Sequence, residues 1–334
     1  MKPLFFIQFY PTIRCNQNCN FCFNNYSIKK QYQEIRKNDA FKIIDIVCQN
    51  GIKEIDILGG EPLLVDWIDE FVKTASEAEL LVNISTNGSL HNRLKKLLKI
   101  PSDTINIGFS LLGLKQTHNR LTGSNNYELI IESIKFIKSS NINPIVKTVL
   151  MKSNKKEIIN LLNFLVEIGI KKYFLLHEDI IGRKRHDCIS FPEYHDFYLD
   201  LHEKYTGNID IGSVSASGFY KYNASSGKRC DAGFTKIAIM PDGSVFPCNL
   251  FASFKEFKLG NIFKDSLQSI LEHPSLNYFR NNTFANPCEK KDCKHYNNCT
   301  GGCPAHSYFF YGKLDIIDSR CNNLLKKINN TIQL

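Results

Sequence analysis

Short apolar runs alternate with stretches of helical spacing along the first two thirds of the chain. Runs at 4–9, 54–58, 81–86, 104–111, 144–150 and 172–176 are brief and rich in β-branched and aromatic residues, and they read as buried strands. Between them, 36–50, 64–75, 90–98, 127–139 and 155–168 read as helices. In the last of these, Ile158, Ile159, Leu161, Leu162 and Leu165 keep an apolar stripe at helical spacing. Alternation of this kind implies parallel strands joined by right-handed crossovers. Six strand–helix units are too few for a closed eight-fold barrel, so the expected fold is α/β, an open partial (β/α)6 TIM-like barrel. Ligands of such folds bind at the carboxyl ends of the strands.

The pattern changes near residue 207, where Gly, Ser and Asn dominate to about 227 and mark a linker. Beyond it, apolar runs at 235–240 and 244–247 flank Pro241-Asp242-Gly243, a β-hairpin signal. The expected division is a barrel over 1–206, a linker over 207–229 and a cysteine-rich extension over 230–334.

Composition narrows the function. At 334 residues, 43% apolar and 22% charged, the chain can bury a large core and a smaller one. It carries no apolar run long enough to span a bilayer and no signal-peptide core, so a cytoplasmic, membrane-free protein is expected. The net charge of +9 is scattered, with no basic block interleaved with aromatics, which argues against nucleic acid as a partner.

Twelve cysteines need a chemical reason. Without an export signal, clustered thiols point to metal rather than disulfides. Cys15, Cys19 and Cys22 stand at C-x3-C-x2-C spacing just after the first strand. Iron–sulfur clusters normally take four thiolates, so a three-thiolate loop leaves one iron free for another ligand. Structural zinc is the alternative, but it asks for four closed ligands. Seven more cysteines lie between Cys230 and Cys321. Cys48 reads as part of the apolar face of the first helix. Cys188, in the loop after the sixth strand, is either a small buried hydrophobe or a thiol serving as hydrogen-atom donor or cluster ligand.

The Cys15–Cys22 spacing, with Phe21 before the last cysteine, resembles the signature of the radical S-adenosylmethionine (SAM) enzymes. Other strand ends fit the same family. Gly59-Gly60-Glu61-Pro62 resembles its GGEP motif, which contacts the methionine amino group of SAM. The two glycines suit close approach of backbone to ligand, and Glu61 could accept from an ammonium. A plain strand-to-helix turn would look the same. Ser85-Thr86-Asn87-Gly88 resembles the ST-N-G motif. Ser110-Leu111-Leu112-Gly113 with His118 and Arg120 resembles a segment of the peptide-modifying members, with Ser110 implied near the SAM carboxylate or ribose. Leu112 stands where that segment carries Asp. Gly182-Arg183 resembles a Gly-Arg pair often close to substrate.

The later cysteines resemble the SPASM extension, which carries two auxiliary iron–sulfur clusters. The resemblance implies Cys230, Cys248 and Cys303 at the first and Cys288, Cys293, Cys299 and Cys321 at the second. Two departures stand out. Cys288 and Cys293 are separated by four residues rather than two, and Lys236 occupies a place where sulfatase-maturing relatives have cysteine.

The resemblance implies reductive cleavage of SAM at the N-terminal [4Fe-4S] cluster to a 5′-deoxyadenosyl radical. It also implies oxidative modification of a ribosomally made peptide or protein, by dehydrogenation or crosslinking, with the auxiliary clusters taking an electron. Asn249 replaces the Asp that sulfatase maturation uses as a base, which argues against formylglycine formation. An electron donor such as flavodoxin or ferredoxin is implied. So is a peptide bound at the barrel mouth or brought by a separate recognition protein, since Cys15 comes so early. Two rivals stay open: an epimerase or redox modifier in which Cys188 returns a hydrogen, and a non-catalytic electron carrier or zinc scaffold.

Overall fold

The computed structural model describes residues 5–24, 32–97, 100, 102–140, 142–181, 187–220, 229–281, 287–289 and 291–321. One sheet organises them. Its strands are β1 (Phe6–Phe9), β2 (Glu54–Ile57), β3 (Leu81–Thr86), β4 (Ile105–Ser110), β5 (Ile145–Leu150), β6 (Lys172–His177), β7 (Asp210–Val214), β8 (Lys236–Ile239), β9 (Ser244–Phe246) and β10 (Gly260–Asn261). They run in the order β10-β9-β8-β1-β2-β3-β4-β5-β6-β7. From β8 across to β7 every pairing is parallel, and β9 and β10 add antiparallel strands at one edge.

Helices cover the outside: α1 (Lys37–Gln49), α2 (Ile68–Glu77), α3 (His91–Leu97), α4 (Lys115–Thr122), α5 (Tyr127–Lys138), α6 (Ile158–Glu167) and α7 (Phe191–Lys204). In α6 the expected stripe is inward at Ile158, Leu161, Leu162 and Leu165, while Ile159 is exposed. Each such buried side chain contributes about 1.5–3 kcal/mol. Along β3 and β5 buried and part-buried residues alternate. Val82 and Ile84 of β3 and Val146 of β5 lie in the core beneath the helices. Asn83, Ser85, Lys147 and Val149 line a cavity on the opposite face. This is the partial barrel of the sequence reading.

Three expectations change. The 207–229 stretch is not merely a linker, because β7 lies within it and pairs with β6 in register from Lys172↔Asp210 to Leu176↔Val214. Its few apolar residues hid it. The extension is joined to the barrel by its hairpin: β8 lies alongside β1, Phe6↔Lys236 through Phe9↔Ile239. Cys48 is exposed rather than core, since α1 buries Ala40, Ile43, Ile44 and Val47 and turns Cys48 away at its last turn.

Candidate functional site

The N-terminal thiol loop leaves β1 and is gripped by its neighbours. Gly60 N donates to Thr12 O at 3.0 Å and Glu61 N to Arg14 O at 2.8 Å. A Cβ on Gly60 would lie 1.9 Å from Arg14 O, and one on Gly59 (φ +134°) 2.4 Å from Thr12 O. The two glycines therefore bring the loop after β2 against the thiol loop's own backbone.

Glu61 finds its partners within the chain. Its side chain is buried and faces inward. Oε1 accepts from Leu63 N at 3.0 Å and Thr86 Oγ1 at 2.8 Å, and Oε2 accepts from Asn87 N at 2.7 Å. Burial pushes its pKa up to about 7, and the three donors pull the other way. The carboxylate ties the β2 loop to the β3 loop. From there Asn87 Nδ2 reaches Asn16 Oδ1 at 2.8 Å and Cys15 Sγ at 3.9 Å, and Asn16 Nδ2 donates to Ser89 Oγ at 2.8 Å.

A third support comes from α4. Asn20 N donates to Leu121 O at 3.1 Å, beside the left-handed Gly123 that ends the helix. His118 is buried in that helix. Its Nδ1 accepts from Leu112 N at 3.3 Å, so Nε2–H donates to Asn126 Oδ1 at 3.2 Å. Burial lowers its pKa to about 4, which keeps the ring neutral. Arg120 of the same helix is exposed and does not line the cavity.

Cys15 is exposed, Cys19 and Cys22 partly so. Burial raises the pKa of Cys15 and Cys19, and each is raised further by the charge of Cys22. A bound cation reverses that balance, because a coordinating thiol is deprotonated. Among the described residues no three Cys, His, Asp or Glu side chains converge on one point as a single ion would need. A cluster bonds its thiolates to different irons and needs no shared point.

The cavity holds about 650 Å³. Phe21, Ser85, Ser110 and Leu112 line it from the loop side, while Cys230, Cys248 and Cys303 line it from the extension. Burial, with mutual repulsion, pushes these three up to about 12, about 11 and about 12. Asn249 follows Cys248. Its N donates to Gln8 Oε1 at 3.1 Å and its Nδ2 to Tyr10 OH at 3.0 Å, so β1 holds both the thiol loop and this corner.

The floor of the cavity is polar. Asn83 Nδ2 bridges Glu54 Oε1 at 2.5 Å and Asp56 Oδ1 at 2.6 Å, and Asn106 Nδ2 donates to Asn83 Oδ1 at 2.8 Å. Lys147 crosses over Gly108, whose missing Cβ leaves the space, to reach Ser85 Oγ at 2.9 Å. Sequence reading missed these residues. The signal was there: charged and amide side chains interrupting otherwise apolar strand runs.

Two buried guanidinium groups build the extension. Arg229 donates to Gly302 O, Gly301 O, Leu314 O and Ile316 O at 2.6–2.9 Å. Arg320 pairs with Asp318 at 2.8 Å and Asp179 at 3.0 Å. Asp318 Oδ2 accepts from Cys303 N at 2.8 Å, and Asp318 O accepts from Cys321 N at 3.0 Å. Burial raises the Cys299 pKa, and Cys288 and Cys293 add to the rise through space, so these three share a neighbourhood. Cys188 is fully buried with its sulfur 3.1 Å from Ile189 O, and it is not brought to the cavity wall. His177, which does line the cavity, lies 3.7 Å from that sulfur. Gly182 and Arg183 fall outside the described residues.

Comparison with known proteins follows the same division. Residues 9–165 match the radical SAM superfamily model and residues 230–304 the SPASM model, an iron–sulfur cluster-binding domain. The subtilosin biosynthesis protein AlbA of Bacillus subtilis is 27% identical over 87% of this chain, which spans 65% of AlbA's length. A PqqA peptide cyclase of Granulibacter bethesdensis is 22% identical over 93% of this chain and 85% of its own. In fold, the chain superposes on Streptococcus suis SuiB bound to its precursor peptide SuiA with a TM-score of 0.78 at 22% identity, over 96% of this chain and 76% of SuiB. Against anSMEcpe with bound AdoMet the TM-score is 0.74 at 20% identity, over 98% and 100%.

A barrel whose first strand feeds a three-cysteine loop, followed by a cysteine-rich extension, matches the two family models in their order along the chain. The chain belongs to the radical SAM superfamily, in the branch that carries a SPASM domain. Its cofactors are S-adenosylmethionine and iron–sulfur clusters.

Proposed function

We propose that this chain oxidises an unactivated carbon of a ribosomally made peptide or protein, leaving a dehydrogenated residue or a crosslink. The observation that carries the reading is the shared cavity. Phe21, Ser85 and Ser110 line one side and Cys230, Cys248 and Cys303 the other, so a carbon held there stands between a radical source and an electron outlet. Relatives named for bacteriocin biosynthesis and peptide cyclisation, and a structural neighbour bound to a precursor peptide, support a peptide substrate.

In this reading Cys15, Cys19 and Cys22 hold the SAM-binding cluster. Cys230, Cys248 and Cys303 hold the first auxiliary cluster, and Cys288, Cys293, Cys299 and Cys321 the second. When bound, SAM and its cluster supply the hydrogen-abstracting radical. The chain's own residues position and shield. Gly59, Gly60, Glu61 and Pro62 fix the thiol loop, Ser85, Thr86, Asn87 and Ser110 shape the SAM side, and the barrel wall excludes water around the target. Asn249 contributes an oriented amide and no base, which supports reactions other than formylglycine formation. The burial of Cys188 away from the cavity favours oxidation over an epimerase that returns a hydrogen from that thiol. The barrel domain runs through β7 and the extension begins near 230. An electron donor such as flavodoxin or ferredoxin completes the assembly, with the peptide bound at the barrel mouth or brought by a separate recognition protein.

The test is anaerobic reconstitution with SAM, a strong reductant and short peptides encoded beside the gene. 5′-Deoxyadenosine together with a peptide lighter by two hydrogens is expected. A mass unchanged in ordinary water, with one deuterium gained when the reaction runs in deuterated water, would replace oxidation by epimerisation. Absence of 5′-deoxyadenosine would remove the radical reading.

A further inference from the structure

Lys236 is a lysine in an unusual place. It sits on β8 opposite Phe6, with Nζ 6.0 Å from the Phe6 ring centre, and it lines the cavity with Cys230, Cys248, Cys303 and Asp231. Burial ordinarily drives an ammonium toward its neutral form. Cys230, Cys248, Cys303 and Asp231, which share the cavity wall with it, favour the charged form against that cost. Asp56 and Asp179 feel the same cation from further round the wall.

We propose that Lys236 is the charge partner of the first auxiliary centre, its ammonium offsetting the negative charge that three thiolates bring to the cavity wall. The proposal rests on the reading that Cys230, Cys248 and Cys303 ligate a cluster. Three thiolates in a low-dielectric site are costly unless a cation lies near. The potential of an iron–sulfur centre follows its net charge, hydrogen bonds and exposure. A fixed positive charge stabilises the reduced state, which is more negative by one electron, over the oxidised one. Lys236 therefore raises the potential of this centre and makes it the readier electron acceptor. In turnover the centre gains one electron from the substrate radical and in a titration from the added reductant, and in both the ammonium keeps its proton. The alternative role, a salt-bridge lysine serving only the nearby carboxylates, would leave the potential alone.

The test is an anaerobic redox titration followed by electron paramagnetic resonance on the reconstituted holoprotein. The parent is compared with Lys236→Met and Lys236→Arg, and signals are assigned with Cys230→Ala and Cys15→Ala variants. In Lys236→Met the midpoint of the signal lost in Cys230→Ala is expected to fall. Lys236→Arg should stay close to the parent, and the other signals should not move. An unchanged midpoint with the centre present, or an equal shift of every centre, overturns the proposal while leaving the ligand assignment intact. Iron and sulfide contents unaffected by Cys230→Ala would overturn both.

Discussion

The two cysteine-rich regions are held in place by opposite means. The N-terminal loop carries partly exposed sulfurs and has little framework of its own. Three barrel loops hold it, through backbone pairing at Gly60 and Glu61, the Glu61 carboxylate and the end of α4. The extension buries Cys248 and Cys303 and is framed largely from within, by Arg229 on its own carbonyls and by Arg320 on Asp318, with Arg320 also reaching Asp179 of the barrel. A loop that must admit a small ligand borrows stiffness from the sheet and stays open. On the proposed function the extension's ligands need only pass electrons and can be closed in. This difference can be tested.

The largest effect should come from Arg320→Met. It strands the buried Asp318 carboxylate, which Arg320 pulls below the usual carboxylate range, and should cost about 3–5 kcal/mol in denaturant unfolding. Auxiliary absorption should fall with it. Gly60→Ala should do the reverse, since a methyl group meets Arg14 O. Iron at Cys15, Cys19 and Cys22 and 5′-deoxyadenosine formation should be lost while the auxiliary signals persist. If both variants lose all centres together, the two frames are not independent.

His118 gives a pH signature of the barrel frame. Its folded pKa, about 4, lies below the unfolded value of about 6.5, so the unfolded chain binds the extra proton between them. Stability should be flat above about pH 7 and fall by roughly 3 kcal/mol as pH drops through this window. The decline should be absent from His118→Gln, measured by urea unfolding at several pH values. Glu61→Gln should cost about 1–3 kcal/mol, because an amide nitrogen cannot accept from Asn87 N or Thr86 Oγ1. SAM affinity, read by equilibrium dialysis, should weaken with it. Arg120→Ala, on an exposed face, should change stability by less than about 0.5 kcal/mol. An effect on SAM affinity as large as that of Glu61→Gln would return Arg120 to the site.

The sequence disclosed the barrel through its period and the thiol loops through their spacing, because both are local. It did not disclose α4, whose stretch Lys115–Thr122 is mostly polar and has no apolar stripe to read, nor β7, with its few apolar residues. Long-range facts were also hidden. Nothing local says that Glu61 turns inward to two neighbouring loops, or that Gly59 and Gly60 clear room for Thr12 and Arg14. Lys147 and Lys236 were visible as charges within apolar runs, but their meaning needed the concave face into which both project.

The parallel pairing of β1 with β8 has a consequence for dissecting the molecule. A fragment ending before residue 230 would strip β1 of its neighbour and present a bare row of amide and carbonyl groups beside the thiol loop, an invitation to self-association. Such a truncation should precipitate or form multimers, visible by light scattering, so the barrel alone is a poor preparation for isolating the first cluster. Point replacement of the distant cysteines keeps the hairpin in place and is the sound way to study one centre at a time.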